Sequence, residues 1–92
     1  MNGQFVVLTT PRFDRPLKKH AKSHPELADV FVEVMAVLRS DPYNRSRRHQ
    51  IKKLEGVHPG EGQYRLRSSR WRFRYDIWSQ KREVELNFCG LR

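Results

Sequence analysis

The stretch YRLRSSRWRFRYDI, from Tyr64 to Ile77, alternates polar and apolar residues on both sides of a serine pair. Successive side chains of a β-strand point to opposite faces, so this pattern predicts a β-hairpin that turns at Ser68-Ser69. One face of the hairpin would be apolar and the other would carry the arginines. The predicted register pairs these arginines across the hairpin: Arg67 with Arg70, and Arg65 with Arg72.

The paired arginines need an explanation, because like charges directly opposite each other destabilise a sheet. One interpretation is that the long side chains extend into water, with Glu83 and Glu85 partly neutralising Arg74 and its neighbours. The other is a groove for phosphate, in which planar guanidinium groups bind oxygen atoms in pairs. We favour the anion site because the whole chain also carries a net charge of +9.

The apolar face of the hairpin is predicted to be core. Its aromatic residues are expected to be buried rather than to stack on nucleic-acid bases: Trp71, Phe73 and Tyr75, with Ile77 beside them. A third strand follows, in which apolar and polar residues again alternate. It would add Val84, Leu86 and Phe88 to the apolar face, and Glu83, Glu85 and Asn87 to the other.

Two helices are predicted upstream of the hairpin, and they would cover its apolar face. We place the start of the first near Asp14, a good N-cap, because Pro16 is disfavoured deep inside a helix. The second begins at a capping box, Ser23-His24-Pro25-Glu26, and ends before Pro42. Its apolar stripe consists of Leu27, Val30, Phe31, Val34, Val37 and Leu38.

An opening strand, Gln4–Thr9, completes the predicted order βααβββ. Residues 42–62 are basic and rich in turn residues, which predicts a surface loop with some order around Ile51 and Leu54. The predicted fold class is α+β, a small antiparallel sheet with two N-terminal helices packed on one face. The whole chain, residues 1–92, is expected to be a single domain.

The composition restricts the class of partner. The chain has 19 Lys and Arg residues against 10 Asp and Glu, which favours nucleic acid, an anionic membrane or an acidic protein. No apolar run approaches the length of a membrane span, and the N-terminus lacks the features of a signal peptide. We therefore expect a cytoplasmic protein with no membrane partner. Cys89 is the only cysteine, which excludes a disulfide framework and a zinc site built from cysteines.

Histidines are the side chains expected to exchange protons near neutral pH, and there are four: His20, His24, His49 and His58. None has metal-ligand spacing to another histidine, a cysteine or an acid, so we expect neither a metal site nor a cofactor. His49 and His58 flank the basic loop and are candidates for RNA cleavage, although such residues are more often simple loop histidines.

Three segments in this order carry a family resemblance: KKLEG, YRLRSSRWRFRYDI and CGLR. With a strand and two helices before them, the chain resembles the RelE/ParE superfamily of bacterial toxins. The resemblance implies a small antiparallel sheet with helices on one face, and metal-independent cleavage of mRNA in the ribosomal A site. It also implies three kinds of partner: a cognate acidic antitoxin, mRNA on the 30S subunit, and operator DNA contacted only through the antitoxin complex.

The resemblance also assigns site residues. Arg65 and Arg67 match basic residues on the second strand of RelE-type toxins, and Arg72 matches the arginine expected to contact the scissile phosphate. Arg92 matches a basic residue just after the last strand. These arginines would stabilise the charge that develops when a ribose 2′-OH attacks the adjacent phosphorus. The further residues expected to bind RNA or phosphate are Arg47, Arg48, His49, Lys52, Lys53, Arg70 and Arg74.

Proton transfer is not explained by these arginines, because a guanidinium stays protonated and is a poor general base. Many relatives carry a Tyr or His for this purpose just beyond the last strand, whereas this sequence stops at Arg92. Three alternatives stay open: the native chain continues further, one of His49, His58, Lys52 and Lys53 substitutes, or cleavage is lost.

The leading hypothesis is therefore a type II toxin that cleaves mRNA on the ribosome. The second is a ParE-like poison of DNA gyrase, which needs no catalytic residues. The third is a basic nucleic-acid-binding module without catalytic activity.

Overall fold

The computed structural model describes residues 4–91, which form two helices and five strands. In chain order these are β1 (Val6–Thr9), α1 (Pro11–Ser23), α2 (Leu27–Ser40), β2 (Gln50–Lys53), β3 (Tyr64–Ser68), β4 (Trp71–Trp78) and β5 (Glu83–Leu91). The predicted α+β class is confirmed. Neither helix in this part of the chain is long and apolar enough to cross a membrane.

The strands form one mixed sheet in the order β1-β5-β4-β3-β2. β1 runs parallel to β5, and the other neighbouring pairs are antiparallel. The sequence predicts one strand fewer, because β2 lies in the segment interpreted as a surface loop. Ile51 of β2 packs against the core opposite Leu66. With a single core residue, β2 is too short to show a hydrophobic period and depends on its pairing with β3.

The core lies between the helices and one face of the sheet, as the alternation predicts. Trp71, Phe73 and Tyr75 of β4 are fully buried there. Phe13 of α1 packs against Phe73, with 6.4 Å between the ring centroids. Other buried apolar residues of this core are Leu27, Val34, Leu38, Leu66, Val84, Leu86 and Cys89.

Helix α1 begins at Pro11, earlier than the predicted start at Asp14. Thr10 is the N-cap, and its hydroxyl oxygen accepts a hydrogen bond from the N–H of Phe13 at 3.2 Å. The N–H of Thr10 also bonds to a carbonyl of β5 at 3.2 Å, so the sheet fixes the start of the helix. Pro16 is tolerated inside the helix. The hydrogen bond that it cannot donate would go to the backbone carbonyl of Arg12, which is in the exposed first turn.

Helix α2 begins at Leu27 and not at the predicted capping box. Ser23 is the last residue of α1, and the N–H of His24 still bonds to the carbonyl of His20 at 2.9 Å. Because the first helix continues this far, Ser23 is removed from the N-cap position. The N–H of Leu27 closes the turn between the helices by bonding to the carbonyl of His24 at 3.0 Å.

The β3–β4 hairpin differs from the predicted register by two residues. Ser69 and Arg70 form the turn, and Ser68 pairs with Trp71. Ser69 has a φ of +57°, the left-handed conformation that tight hairpin turns use. Because side chains alternate with a period of two, this shift leaves each side chain on its predicted face. The observed arginine pairs are Arg67 with Arg72, and Arg65 with Arg74.

A β-bulge in β5 overturns the prediction that Phe88 belongs to the core. The register shifts after Arg74, which pairs with Phe88, and Asn87 is the extra residue of the bulge. Beyond the bulge the alternation is inverted. Cys89 is buried in the core, whereas Phe88 is 45% exposed on the same side of the sheet as the arginines.

Truncation of Phe73 to alanine is expected to lower the free energy of unfolding by about 3–5 kcal/mol, because it removes a fully buried ring. Val32→Ala, at an exposed position of α2, is the control and should change stability by less than about 0.5 kcal/mol. Chemical denaturation of the two variants measures the difference. An unaltered denaturation midpoint for Phe73→Ala would show that this face of β4 is not the core.

Candidate functional site

Four arginines lie on the surface of the sheet that the helices leave uncovered: Arg65, Arg67, Arg72 and Arg74. Lys52 of β2 pairs with Arg65 and extends this surface by one strand. We call these five residues the arginine face. The four arginines are half-buried, whereas Lys52 is exposed. Three adjacent strands thus bring five cationic side chains together.

The arginine face has hydrogen-bond donors without acceptors. The Nε atoms of Arg65 and Arg72 are buried and have no hydrogen-bond partner. A buried donor without an acceptor costs about 1–3 kcal/mol, and like charges opposite each other across a sheet add repulsion. An anion that supplies oxygen acceptors would relieve both effects. The arrangement is therefore suited to an anion.

Arg74 has a different role from the other three arginines. Its Nε and Nη2 atoms donate to the carbonyl of Gly62 at 3.1 and 3.0 Å. This double contact holds segment 54–63, which connects β2 to β3, against β4. Among the described residues, neither Glu83 nor Glu85 forms an ion pair with Arg74, so its direct partner is the Gly62 carbonyl.

Asp76 fixes the same segment from the next outward-facing position of β4. Its buried carboxylate accepts hydrogen bonds from the N–H groups of Gly62 at 2.9 Å and Gln63 at 3.1 Å. It also accepts one from the side-chain amide of Asn87. Gly62 has a φ of +83°, and a Cβ there would lie 2.8 Å from the Cβ of Arg74. Arg74 and Asp76 together therefore hold segment 54–63 against β4 at Gly62.

A second carboxylate, that of Asp41, organises the basic segment 41–49. It accepts hydrogen bonds from the Ser46 hydroxyl at 2.6 Å and the Arg45 N–H at 2.8 Å, and the Nε2 atom of His49 lies 3.6 Å away. Burial raises the pKa of Asp41, but the hydrogen bonds and the nearby histidine outweigh it and leave the pKa below its ordinary value. The segment presents three exposed arginines: Arg45, Arg47 and Arg48.

Two clefts border this segment and β2. The first, of about 280 Å³, lies between α2 and the β2–β3 pair, and its lining includes Arg48, His49 and Arg67. The second, of about 550 Å³, is lined by Lys52 and Arg74 together with part of segment 54–63. Arg48 and His49 thus share a cleft with Arg67, and Lys52 shares one with Arg74.

Two predicted site residues, Arg70 and His58, line neither cleft. Arg70 is exposed in the β3–β4 turn. Lys53 also lines the second cleft, but its side chain is on the other side of the sheet, where its Nζ atom lies 5.8 Å from the ring centroid of Tyr64. His58 is exposed in segment 54–63. Arg92 lies outside the described residues.

Two buried side chains that can lose a proton, Cys89 and Tyr75, lie on the core side of the sheet, opposite the arginine face. Burial raises the pKa of Cys89 to about 11, so the thiol stays protonated near neutral pH. Burial, with smaller contributions from Tyr64 and Asp41, also raises the pKa of Tyr75, whose hydroxyl donates to the carbonyl of Pro42 at 2.7 Å. Within residues 4–91, no three His, Cys, Asp or Glu side chains are grouped so as to hold a metal ion.

No protein-family model matches this sequence, and no curated protein matches it. Solved structures, in contrast, share its fold over almost the whole chain. A chain of the archaeal RelE–RelB complex from Pyrococcus horikoshii OT3 is 20% identical, with a TM-score of 0.71 over 97% of this chain and 96% of that chain. A chain of the toxin–antitoxin complex RelBE2 from Mycobacterium tuberculosis is 21% identical, with a TM-score of 0.73 over 97% and 99%. The protein therefore has a RelE-like fold, as the sequence resemblance implies.

The polar network around Asp76 is not apparent from the sequence. One signal exists, since Asp76 is the only acidic residue between Tyr64 and Ile77. Its partners Gly62 and Asn87 belong to no recognisable motif, however, and lie on either side of the hairpin in sequence. A carboxylate in a strand of arginines indicates a structural role only after its neighbours in space are known.

Replacement of Asp76 by asparagine is expected to lower the free energy of unfolding by about 2–3 kcal/mol, because an amide N–H would replace an oxygen that accepts from Gly62 or Gln63. Glu83→Gln makes the same chemical change on the same face, outside this network, and should leave stability unaltered. Chemical denaturation gives the free energies, and amide hydrogen exchange at Gly62 and Gln63 should accelerate in Asp76→Asn alone. Equal stability and exchange in both variants would show that Asp76 does not hold the segment.

Proposed function

We propose that this protein is the toxin of a type II toxin–antitoxin system and acts in the cytoplasm as a ribosome-dependent mRNA endoribonuclease. The RelE-like fold supports the class of protein. The observation that carries the activity is the pair of buried Nε–H groups of Arg65 and Arg72, which have no acceptor in a cluster of like charges. Phosphate oxygens supply the acceptors and the opposite charge together.

The proposed reaction is an internal transesterification of the RNA backbone. The ribose 2′-oxygen attacks the adjacent phosphorus, a new P–O bond forms, and the bond to the 5′-oxygen of the next nucleotide breaks. The products are a 2′,3′-cyclic phosphate and a 5′-hydroxyl. The guanidinium groups of Arg65, Arg67 and Arg72 stabilise the charge that develops on the non-bridging oxygens. The sequence resemblance assigns Arg92 to the same task.

We assign proton transfer to His49, which would take the proton of the 2′-OH and return it to the departing 5′-oxygen. It lines the same cleft as Arg67, and its Nε2 atom lies 3.6 Å from the carboxylate of Asp41. An acidic neighbour at this distance can orient the ring of a general base. His58 lines neither of the two clefts, which makes it the weaker candidate.

The proposed partners are an acidic antitoxin and mRNA in the A site of the 30S subunit. The solved neighbours come from a RelE–RelB complex and a RelBE2 toxin–antitoxin complex. The net charge of +9 also favours a carboxylate-rich partner. Such a partner, bound across the arginine face, would exclude RNA from it. Contact with operator DNA would occur only through this complex.

Replacement of Arg72 by alanine is expected to abolish toxicity and leave the fold intact, because the side chain points away from the core. Loss of one donor to a developing oxyanion lowers a catalytic rate about 100- to 1000-fold. Growth after induced expression measures toxicity, and mapping of the 5′ ends of cleaved mRNA measures the reaction. Arg12→Ala, at an exposed position of α1, is the matched control.

Toxicity of Arg72→Ala equal to that of the parent would remove Arg72 from the site. A DNA-damage response without cleaved mRNA would contradict the endoribonuclease and would instead identify a ParE-like poison of DNA gyrase.

The antitoxin and RNA are expected to compete for the arginine face. Association with the antitoxin should be faster at low salt, because exposed charges are screened beyond about 10 Å at about 0.1 M ionic strength. The measurement is ribosome or RNA binding titrated with the acidic product of the neighbouring gene, for the parent and for Arg65→Ala. A ternary complex with undiminished RNA affinity would contradict a shared site and would require displacement of another element as the mode of inhibition.

A further inference from the structure

Phe88 is an aromatic side chain placed among the arginines. It is 45% exposed and pairs with Arg74 across β4 and β5. In the part of the chain that the structure describes, no aromatic ring and no cation lies over it. The cation–ring contacts found there involve Phe5, Tyr43 and Tyr64 instead. The ring of Phe88 is therefore open to a ligand on the arginine face.

The backbone around Phe88 is adapted to this placement in two independent ways. The bulge at Asn87 turns Phe88 out of the core, where uninterrupted alternation would have buried it. Gly90 then leaves room for the ring, since a Cβ at Gly90 would lie 2.7 Å from the Cζ atom of Phe88. The ring thus lies across Gly90, and Gly90 pairs with Arg72. The ring of Phe88 consequently extends from the position opposite Arg74 towards the position opposite Arg72.

A nucleotide has the chemistry that fits this arrangement. Its phosphate supplies the acceptors that the Nε–H of Arg72 lacks, and its base has an apolar face that stacks on an aromatic ring. Adjacent strands are about 4.8 Å apart, so a ring on β5 and a guanidinium on β4 are within reach of one nucleotide. Proteins that bind single-stranded RNA combine such rings with a basic track for the backbone.

We infer that Phe88 is a stacking platform for an unpaired base of the RNA whose phosphate lies on Arg72. The inference rests on the proposed function and specifies its substrate as single-stranded RNA with a base turned towards the sheet. Base-paired RNA does not fit, because its bases already stack on one another. Every base offers a π-face, so Phe88 contributes affinity and position with little base preference.

The experiment uses the full chain and a short single-stranded oligoribonucleotide with 2′-O-methyl groups, which cannot be cleaved by 2′-OH attack. A second oligonucleotide has the same backbone and abasic positions throughout its centre. Binding is measured by fluorescence anisotropy for the parent, Phe88→Ala, Phe88→Leu, Phe88→Trp and Arg72→Ala. Val32→Ala, an exposed apolar position on α2, is the control for loss of surface apolar area. Thermal unfolding confirms that each variant is folded.

Phe88→Ala and Phe88→Leu are expected to weaken binding of the complete oligonucleotide about tenfold or more and to leave binding of the abasic one unchanged. Phe88→Leu is the decisive variant, because it retains the apolar volume and removes the ring. Phe88→Trp should retain affinity, and its added fluorescence should be quenched by the complete oligonucleotide alone. Arg72→Ala should weaken binding of both oligonucleotides.

Parental affinity of Phe88→Leu for the complete oligonucleotide would overturn the stacking role, and so would an equal loss on both oligonucleotides. If Arg72→Ala still weakens binding in that case, the proposed RNA site stands without the platform. Absence of any effect from Arg72→Ala, or absence of binding by the parent, would overturn the RNA site and the platform together. Weakened antitoxin binding by Phe88→Leu with unchanged RNA binding would assign the ring to the protein partner instead.

Discussion

The buried carboxylate of Asp76 on β4 holds two irregular parts of the molecule in place, segment 54–63 and the bulge of β5. It accepts hydrogen bonds from the N–H groups of Gly62 and Gln63 in that segment and from the side-chain amide of Asn87 in the bulge. In a buried environment such charge-assisted hydrogen bonds are strong and specify one arrangement. The bulge decides which residues of β5 face the arginines, and the segment decides where Arg74 points. The composition of the arginine face therefore depends on one acidic side chain.

The same strands build the core and the arginine face, and the two faces contribute to stability with opposite signs. On β4, the burial of Phe73 stabilises the sheet, whereas the guanidinium groups of Arg72 and Arg74 face cations on β3. Period-two alternation makes this combination possible, because a strand can supply apolar contacts on one side while the other side is chosen for binding. Local rules of sheet pairing are commonly broken at functional sites for this reason.

Alternation over Tyr64–Ile77 and the apolar stripe of α2 were sufficient to predict the α+β class, the buried aromatic residues and the arginines on one face. Alternation alone does not fix the turn at Ser69, since a shift of two residues leaves every side chain on the same face. The bulge at Asn87 is not predictable because it depends on partners outside its own segment. The bulge is the more serious omission, since it moved Phe88 from the predicted core to the candidate site. The sequence pattern did not predict β2, because its single core residue, Ile51, shows no hydrophobic period. For the candidate site, alternation predicted which arginines share a face of the sheet. The hydrogen bond from Arg74 to the carbonyl of Gly62 was apparent only from the three-dimensional structure.

The parallel pairing of β1 with β5 joins positions far apart along the chain, such as Val6 with Glu83. The N-cap of α1 is likewise bonded to β5, with Thr10 and Leu86 separated by 76 positions. Contacts at such separations form late, because the loop between them must close before they are gained. During synthesis on the ribosome, the helices and β2–β4 can emerge and assemble while β1 still lacks its neighbour. The proposed base platform is added last, because Phe88 joins the arginine face only when β5 takes its place between β1 and β4.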